Sequence, residues 1–267
     1  MKEINTKNSD NTWLRALLYG ASGIGKTTSI LTLPLKRTLV LMAEPKHLPL
    51  LGQDVDPWEI ADWEDTKLAF ATIRKGLAHG GLIVNGRKKD IIFIDTLTEI
   101  NEQCKNHIIA KDRPDLLSRQ KKNLDGIYDE LMMLNDWQLL SVRINSMVSS
   151  FCHLPCHLIV AAQEQWNEDR VTGTIRREPA LNGKLATSIA HHFDFAFHLE
   201  IVNIEGHDKR FFRTSYSPQA MAKGSPHLDI LEDPNWTKVM TKVFTADKPA
   251  KKKTKPRTPK RATKGDK

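Results

Sequence analysis

Hydrophobic residues along the chain form short runs that alternate with stretches of helical spacing. The apolar runs predict buried strands at residues 13–19, 38–43, 58–63, 91–94 and 156–162. Helical spacing predicts helices at residues 26–33, 65–78, 98–111, 120–152 and 182–192. In the second of these helices, Leu68, Phe70, Ile73 and Leu77 share one side. Strands that alternate with helices in this way predict a parallel sheet wrapped by helices on both faces.

The C-terminal part of the pattern differs, because strands follow one another without a helix between them. Residues 164–179 are polar and predict a loop or an exposed hairpin. Residues 195–202 and 209–216 predict two strands around a turn at Glu205 and Gly206, and residues 236–244 predict a short last helix. These late strands are expected to extend the sheet antiparallel, so the predicted fold class is α/β, a mostly parallel twisted sheet with antiparallel C-terminal strands.

The charge is concentrated in one segment and this sets the expected domain boundaries. The chain of 267 residues carries 40 Lys and Arg against 32 Asp and Glu, a net charge of +8. Residues 246–267 hold ten of the basic and two of the acidic residues, so the remainder is formally neutral and not a uniformly basic, histone-like protein. We expect a flexible N-terminus at 1–12, one domain at 13–245 and a disordered Lys/Pro-rich tail at 246–267.

Composition also sets the expected compartment. Three cysteines are too few and too unevenly spaced for a disulfide framework, and they fit reduced thiols in a cytoplasm. No apolar run approaches the length needed to span a bilayer, and the polar first residues lack the apolar stretch of a secretory signal. The expected location is therefore the cytoplasm, with no membrane partner.

Residues 20–27 (GASGIGKT) fit the phosphate-binding pattern G-x-x-x-x-G-K-[ST] between an apolar strand and a helix. Glycines let successive backbone N–H groups point toward one phosphate, and the start of the helix adds partial positive charge. Lys26 can reach the β- and γ-phosphates, and the Thr27 hydroxyl can coordinate Mg²⁺. The alternative is a glycine-rich turn that binds nothing. The nucleotide-binding residues predicted for ATP are Gly20, Ala21, Ser22, Gly23, Ile24, Gly25, Lys26, Thr27 and Thr28.

Three polar side chains at predicted strand ends complete the candidate chemistry. Asp95 ends an apolar strand, expected beside the P-loop strand, and can hold Mg²⁺ through water together with Thr27. Glu44 follows the strand at 38–43 and would orient the attacking water if that strand neighbours the P-loop strand; otherwise it caps the next turn. Gln163 ends a later strand, where it either senses the γ-phosphate or is a surface amide. Lys26, Glu44 and Gln163 form the predicted catalytic set.

These motifs together resemble the RecA-like P-loop ATPases, and more narrowly the phage-encoded AAA-family nucleotide-binding proteins related to RadB and to single-strand annealing recombinases. The resemblance covers residues 13–244 and depends on the order of its motifs. These are the P-loop, Met42-Ala43-Glu44, Ile94-Asp95-Thr96-Leu97-Thr98, Asp136-Trp137, Ala162-Gln163 and Pro179-Ala180-Leu181-Asn182-Gly183-Lys184. Only the P-loop is specific by itself.

The resemblance implies an ATP-dependent role in DNA recombination, replication or annealing, with Glu44 as the catalytic acid. It also implies homo-oligomers with ATP between neighbours, and phage or host replication and recombination proteins as partners. Lys223 resembles the Lys of a Lys-x-Arg segment that acts on the neighbouring subunit's nucleotide, although Ser225 stands where the Arg is expected. Lys184 is the rival candidate, and either lysine is alternatively a solvated surface residue.

Two segments are candidates for single-stranded DNA. The segment after Gln163 carries Trp166, Arg170, Arg176 and Arg177, an indole for base stacking and three guanidinium groups for phosphates. In RecA-like proteins this segment contacts single-stranded DNA; the alternative is an ordinary mobile hairpin. The basic tail would attract any polyphosphate without sequence specificity, or would serve only solubility or an acidic protein partner.

The leading hypothesis is therefore a Mg²⁺-dependent ATPase that acts on single-stranded DNA in phage recombination, annealing or replication. The second hypothesis is an ATP-gated binding module, such as a helicase-loading accessory factor, with negligible turnover. A P-loop kinase of small molecules is a third hypothesis, disfavoured because no Arg-rich lid is evident.

Overall fold

A computed structural model describes residues 12–113, 132–168 and 173–245. In this part of the chain the strands are between two and twelve residues long. They are β1 (Arg15–Gly20), β2 (Thr38–Met42), β3 (Asp56–Glu59), β4 (Leu82–Val84), β5 (Arg87–Lys89), β6 (Ile91–Asp95), β7 (His157–Glu168), β8 (Ile175–Pro179), β9 (Phe195–Ile204), β10 (His207–Arg213) and β11 (Leu231–Glu232).

Nine of the described strands form one sheet in the order β11-β10-β9-β1-β7-β6-β2-β3, with β8 paired to the outer half of β7. The six strands from β9 to β3 are parallel to their neighbours. β10 and β11 extend the sheet antiparallel, and β8 forms an antiparallel hairpin with β7. All six parallel strands therefore present their carboxyl ends at one edge of the sheet.

The helices of the described residues connect these strands. They are α1 (Lys26–Ser29), α2 (Trp63–Ala78), α3 (Leu97–His107), α4 (Leu134–Cys152), α5 (Leu185–Ser188) and α6 (Trp236–Thr245). Short 3₁₀ turns occupy Ile30–Thr32, Leu35–Arg37, Leu48–Leu50 and Ile189–His192, and a π-helical turn at Ile108–Asp112 extends α3. None of these helices is long and apolar enough to cross a bilayer.

The sheet separates two apolar cores, because alternate residues of each strand point to opposite faces. On one face, Leu17 and Tyr19 of β1 pack in the cluster that includes residues of α2, α3, α4 and α5. On the other face, Ala16 and Leu18 pack in the cluster that includes Ile30 after α1 and Trp236 of α6. The predicted fold class is confirmed: this is a P-loop α/β fold with helices on both faces of a mostly parallel sheet.

Several predicted element boundaries are wrong. The α-helix after the P-loop ends at Ser29 and continues only as 3₁₀ turns. The predicted strand at 58–63 is shifted, because β3 ends at Glu59 and Trp63 begins α2. Leu68 is 65% exposed, so it does not share the buried side of α2 with Ile73.

The small β4–β5 hairpin has no counterpart among the predicted elements. Its last residue, Lys89, is fully buried, where it forms an ion pair with Asp56 at the start of β3. The same ammonium donates to the Lys36 backbone oxygen at 2.8 Å, and Asn85 donates to Asp56 at 2.7 Å. A buried and paired lysine thus fastens this polar hairpin to the edge of the sheet.

The expectations for 1–11, for the first part of the predicted helix at 120–152 and for the tail at 246–267 lie outside the described residues. Within the described range, the hairpin expected at 164–179 is present, and the turn at Glu205 and Gly206 joins β9 to β10 as predicted.

Candidate functional site

Four strand ends bring the predicted site residues to one edge of the sheet. Gly20 at the end of β1 is in register with Gln163 in β7, and Met42 at the end of β2 is in register with Asp95 in β6. Glu44 follows two residues later, with its backbone N–H directed at the Asp95 carbonyl at 3.4 Å. Lys26, Glu44, Asp95 and Gln163 therefore converge, as the sequence predicted.

The predicted strand neighbours are wrong, although the residues converge. β7 lies between β1 and β6, so the strand that carries Asp95 is not beside the P-loop strand. β2, which precedes Glu44, is separated from β1 by both β7 and β6. The role of Glu44 was predicted on the condition that these two strands are neighbours, and that condition is not met. Glu44 reaches the site because all these strands are parallel and end at the same edge.

Backbone conformation shapes the P-loop at two glycines. Gly25 has a φ of +115° and immediately precedes Lys26, a conformation that L side chains rarely adopt. A Cβ added at Gly20 would lie 2.7 Å from the Leu199 carbonyl oxygen, because β9 passes close beside the end of β1. Glycine is needed at both positions for different reasons, one conformational and one steric.

Lys26 is almost fully buried, and its ammonium group has three acceptors. Nζ donates to the carbonyl oxygens of Gly20 and Ala21 at 2.8 Å each and to Gln163 Oε1 at 2.9 Å. Burial lowers the pKa of Lys26 to about 8, against the opposing effect of the Asp95 and Glu44 carboxylates. The ammonium is positioned to exchange these acceptors for phosphate oxygens.

Thr27 and Asp95 meet across the site. The Thr27 hydroxyl donates to Asp95 Oδ2 at 2.7 Å, which joins the P-loop to the end of β6. Asp95 is 2% exposed, and burial raises the pKa of its carboxyl group despite the Thr27 hydrogen bond. Its other oxygen, Oδ1, is buried and has no hydrogen-bond partner among the described residues.

That orphaned oxygen fits a metal ion. A buried carboxylate with one unused oxygen, next to a threonine hydroxyl, provides hard oxygen donors of the kind that Mg²⁺ prefers. An unpaired buried acceptor is costly unless a cation or an ordered water approaches it. Thr27 and Asp95 are thus suited to hold Mg²⁺ at the candidate site.

Glu44 and Gln163 form the third part of the site. Glu44 Oε1 accepts from Gln163 Nε2 at 2.8 Å and from the Thr96 hydroxyl at 3.0 Å. Its Oε2 accepts from Lys46 Nζ at 2.6 Å. Burial acts to raise the pKa of Glu44, but the hydrogen bonds from Lys46, Gln163 and Thr96 outweigh it and hold that pKa below its ordinary value. Gln163 therefore bridges Lys26 on one side and Glu44 on the other.

Three residues of this network were not predicted as site residues. Lys46 and Thr96 bond Glu44, and the Thr98 hydroxyl accepts from the Gln163 backbone N–H at 3.0 Å. Thr96 and Thr98 lie one and three residues after Asp95 in the sequence, so position alone could have indicated them. The spacing of Lys46 from Glu44 is equally short, but no pattern distinguishes it from an ordinary surface lysine.

These groups line a cavity of about 250 Å³ on the carboxyl edge of the sheet. Its wall combines the P-loop with the three polar strand ends. The lining residues are Ser22, Gly23, Gly25, Lys26, Thr27, Thr28, Glu44, Lys46, Pro49, Asp95, Thr96 and Gln163.

The two lysines considered for action on a neighbouring subunit lie elsewhere. Lys223 pairs through its backbone with Ala196 near the start of β9, and its ammonium donates to the Phe193 carbonyl oxygen at 2.7 Å. Lys184 is exposed and immediately precedes α5. Neither lysine lines the cavity formed by the P-loop of its own chain.

The hairpin of β7 and β8 carries the candidate DNA-binding residues that the structure describes. Trp166 is 61% exposed and lies opposite Arg177, whose guanidinium stands 5.0 Å from the centre of the indole ring. Arg176 stands 5.5 Å from the centre of the Tyr216 ring, so it is separate from the Trp166 pair. Arg170 lies outside the described residues.

Comparison with protein families agrees with this geometry. A family model described as an AAA domain matches residues 12–225, which include the P-loop and every strand from β1 to β10. The chain belongs to this AAA-domain family. It is a P-loop ATPase domain in which the phosphate loop, Asp95 at the end of β6 and Gln163 in β7 line one cavity.

No curated protein matches the chain. Among solved structures, a KaiC-like protein from the hyperthermophilic archaeon Pyrococcus horikoshii is similar to this AAA-domain protein. Its sequence identity is 11%, its TM-score is 0.39, and the match covers 74% of this chain and 76% of that chain.

Proposed function

We propose that this AAA-domain protein is a Mg²⁺-dependent ATPase that acts on single-stranded DNA during recombination, annealing or replication of phage DNA. The observation that carries the ATPase proposal is the bridge from Lys26 through Gln163 to Glu44, beside the Thr27–Asp95 pair. A phosphate-binding ammonium, a sensor amide, a carboxylate for the water and a metal-holding pair are the groups that ATP hydrolysis requires.

Glu44 is suited to the role of base. Its lowered pKa keeps the carboxylate ionised at neutral pH, so it can orient water and accept its proton. Thr27 and Asp95 would hold Mg²⁺, which neutralises charge on the β- and γ-phosphates when bound. Lys26 supplies further positive charge to the same phosphates. Mutation of a general base typically costs about 10²- to 10⁴-fold in rate.

Gln163 connects the nucleotide to the rest of the molecule. Its side-chain amide is shared between Lys26 and Glu44, so phosphates that take over the Lys26 ammonium would release Gln163 Oε1. The same strand continues without interruption from Gln163 to Glu168 and carries Trp166 in the hairpin. A change at the nucleotide is therefore transmitted along β7 to the surface that we propose for DNA.

The DNA proposal is supported by Trp166 and Arg177. An exposed indole offers a stacking face for a base, and the adjacent guanidinium can contact the phosphate that follows it. The basic residues at 246–267 would add affinity that depends on salt and is indifferent to sequence.

The test is the ATPase rate of the full chain against added single-stranded and double-stranded DNA over a salt series. We expect single strands to stimulate turnover more than duplex. In a matched full-length variant, tail lysines replaced by glutamine should lower the salt dependence of DNA binding without changing the rate in the absence of DNA. Turnover indifferent to DNA would contradict the DNA role, and absence of turnover with retained ATP binding would instead indicate an ATP-gated binding module.

A further inference from the structure

A second cavity of about 250 Å³ adjoins the P-loop, and neither Glu44 nor Asp95 lines it. The two cavities share Gly23, Gly25 and Thr28, so they lie next to each other along the loop. The walls of the second cavity are contributed by the region after α1, by β9 and β10, and by the segment before α6. They are formed by Gly23, Gly25, Thr28, Ser29, Thr32, Leu199, Arg210 and Pro234.

The position of the metal-holding pair fixes the direction in which a nucleotide would lie. In a P-loop the lysine and the hydroxyl that follows it serve the β- and γ-phosphates and the metal ion. Here that end is marked by Thr27 and Asp95, with Glu44 beyond them. The α-phosphate and the nucleoside must therefore leave over Thr28 toward the second cavity.

Among the described residues that line this second cavity, Arg210 is the one with a cationic side chain. Its Nε donates to the Ile24 carbonyl oxygen of the P-loop at 2.8 Å. The same side chain passes over Gly25, where an added Cβ would lie 3.6 Å from Arg210 Nε. No carboxylate among the described residues forms an ion pair with it. An arginine held on the P-loop by its Nε keeps the rest of its planar guanidinium for a ligand.

Two other hydroxyls of the cavity, those of Ser29 and Thr32, are already used by the fold. The Ser29 hydroxyl donates to the Lys26 carbonyl and accepts from Trp236 Nε1, and the Thr32 hydroxyl donates to the Ser29 carbonyl and accepts from the Trp236 backbone N–H. Pro234 provides an apolar wall. The cavity therefore offers apolar walls to a flat group, with hydrogen bonding from Arg210 and the Thr28 hydroxyl.

From this geometry we infer that the second cavity is the nucleoside subsite, and that Arg210 and Pro234 contact the base and ribose. The inference rests on the proposed function, because it presumes that the triphosphate occupies the P-loop. Within this cavity the Arg210 guanidinium would contribute to base binding through stacking and cation–π attraction, and the Pro234 ring would add an apolar contact. Arg210 on the β9–β10 hairpin thereby becomes the residue that distinguishes a nucleotide from a bare polyphosphate.

The experiment compares binding of Mg–ATP with binding of Mg–tripolyphosphate by calorimetry, in the full chain and in three variants. Arg210→Ala and Pro234→Gly alter the two proposed contacts. Lys209→Ala is the matched control, because it removes one positive charge from the neighbouring residue, which points to the opposite face of β10. Tripolyphosphate has no nucleoside and reports on the P-loop alone.

We expect Arg210→Ala to weaken ATP about tenfold and Pro234→Gly about threefold, with tripolyphosphate affinity within twofold of wild type for both. Lys209→Ala should change neither ligand. The inference is overturned if ATP affinity is unchanged in both variants. It is also overturned if Arg210→Ala weakens the two ligands equally while Pro234→Gly weakens neither, since Arg210 would then be a phosphate contact. If wild type fails to bind tripolyphosphate at all, the P-loop proposal itself fails.

Discussion

Two carboxylates at the same edge of the sheet have opposite environments. Glu44 receives hydrogen bonds from Lys46, Gln163 and Thr96, which hold its pKa below the ordinary value. Asp95 is buried with a single hydroxyl donor, and burial raises its pKa. Two carboxyl groups whose pKa values are shifted in opposite directions commonly have different roles in a reaction. Here Glu44 is suited to act on water, and Asp95 is suited to a cation.

Replacing the glutamate tests this division directly. Glu44→Gln keeps the shape but loses the negative charge, so it should lower ATP turnover by at least about 100-fold. ATP affinity should remain within about threefold, because Glu44 is not expected to contact the phosphates. Phosphate release and calorimetry measure the two quantities. Glu59→Gln, an exposed acid at the end of the neighbouring strand, is the control and should leave turnover unchanged. Comparable turnover in wild type and Glu44→Gln would remove Glu44 from the mechanism.

At the scale of elements, the sequence predicted what is local and missed what depends on distant partners. The P-loop is a contiguous motif, and the positions of Asp95 and Gln163 follow from the apolar runs that precede them. The predicted end of the later strand at Gln163 is wrong, because β7 continues to Glu168 where it pairs with β8. The order of strands is set by packing between segments far apart in the chain, so the placement of β7 between β1 and β6 was not predictable from either run. Arg210 was missed for the same reason, since it meets Ile24 across 186 residues of sequence.

The last helix is expected to stabilise the P-loop region. Trp236 is fully buried, packs against Phe197 and Phe212, and donates to the Ser29 hydroxyl at 3.0 Å. Trp236→Ala should lower the free energy of unfolding by about 3–5 kcal/mol, because it leaves a large cavity and removes one of the two hydrogen bonds of the Ser29 hydroxyl. Trp166→Ala, at an exposed position, should change it by no more than about 0.5 kcal/mol. Urea denaturation measures the free energy of unfolding of both variants. An equal loss in Trp236→Ala and Trp166→Ala would contradict the packing assigned to Trp236.

Substitution in the β7–β8 hairpin should weaken DNA binding and leave the ATPase rate without DNA unchanged. Trp166→Ala removes a stacking face and should weaken binding of a single-stranded oligonucleotide about tenfold. The ATPase rate without DNA should stay within twofold, since Trp166 does not line the nucleotide cavity. Fluorescence anisotropy measures the affinity, and Ile201→Ala, another exposed apolar residue on a different strand, is the control. Unchanged DNA affinity in Trp166→Ala would place the DNA surface elsewhere.

At the scale of the whole molecule, a buried polar cluster joins the parallel and antiparallel parts of the sheet. His198 on β9 lies between Glu164 of β7 at 2.9 Å and Glu200 at 3.3 Å, and Arg213 of β10 bonds Glu200 at 2.7 Å. Glu164 directly follows Gln163, so the cluster begins beside the nucleotide site. It connects the nucleotide edge to the strands that support Arg210.

This cluster predicts an acid-sensitive contribution to stability. Burial acts to raise the pKa of Glu200, but hydrogen bonds from His198 and Arg213 outweigh it and lower that pKa from 4.5 to about 2. The unfolded chain therefore binds this proton at a higher pH than the folded chain does. The stabilisation is present above pH 4.5 and is lost as the pH falls toward 2. Glu200→Gln should be less stable at pH 7 and should show a shallower decline below pH 4.5 in thermal unfolding. An unchanged pH profile would contradict the shift.

The central claim is that the cluster around the P-loop hydrolyses ATP, and Lys26 tests it most directly. Its ammonium is the group that links the loop to Gln163 and, through it, to Glu44. The measurement is phosphate release from Mg–ATP by the full chain, with and without single-stranded DNA, in wild type and in Lys26→Ala, with Lys75→Ala on α2 as an exposed-lysine control. We predict turnover in wild type and in the control, and none above background in Lys26→Ala. DNA-stimulated turnover that survives in Lys26→Ala would contradict the assignment of this site.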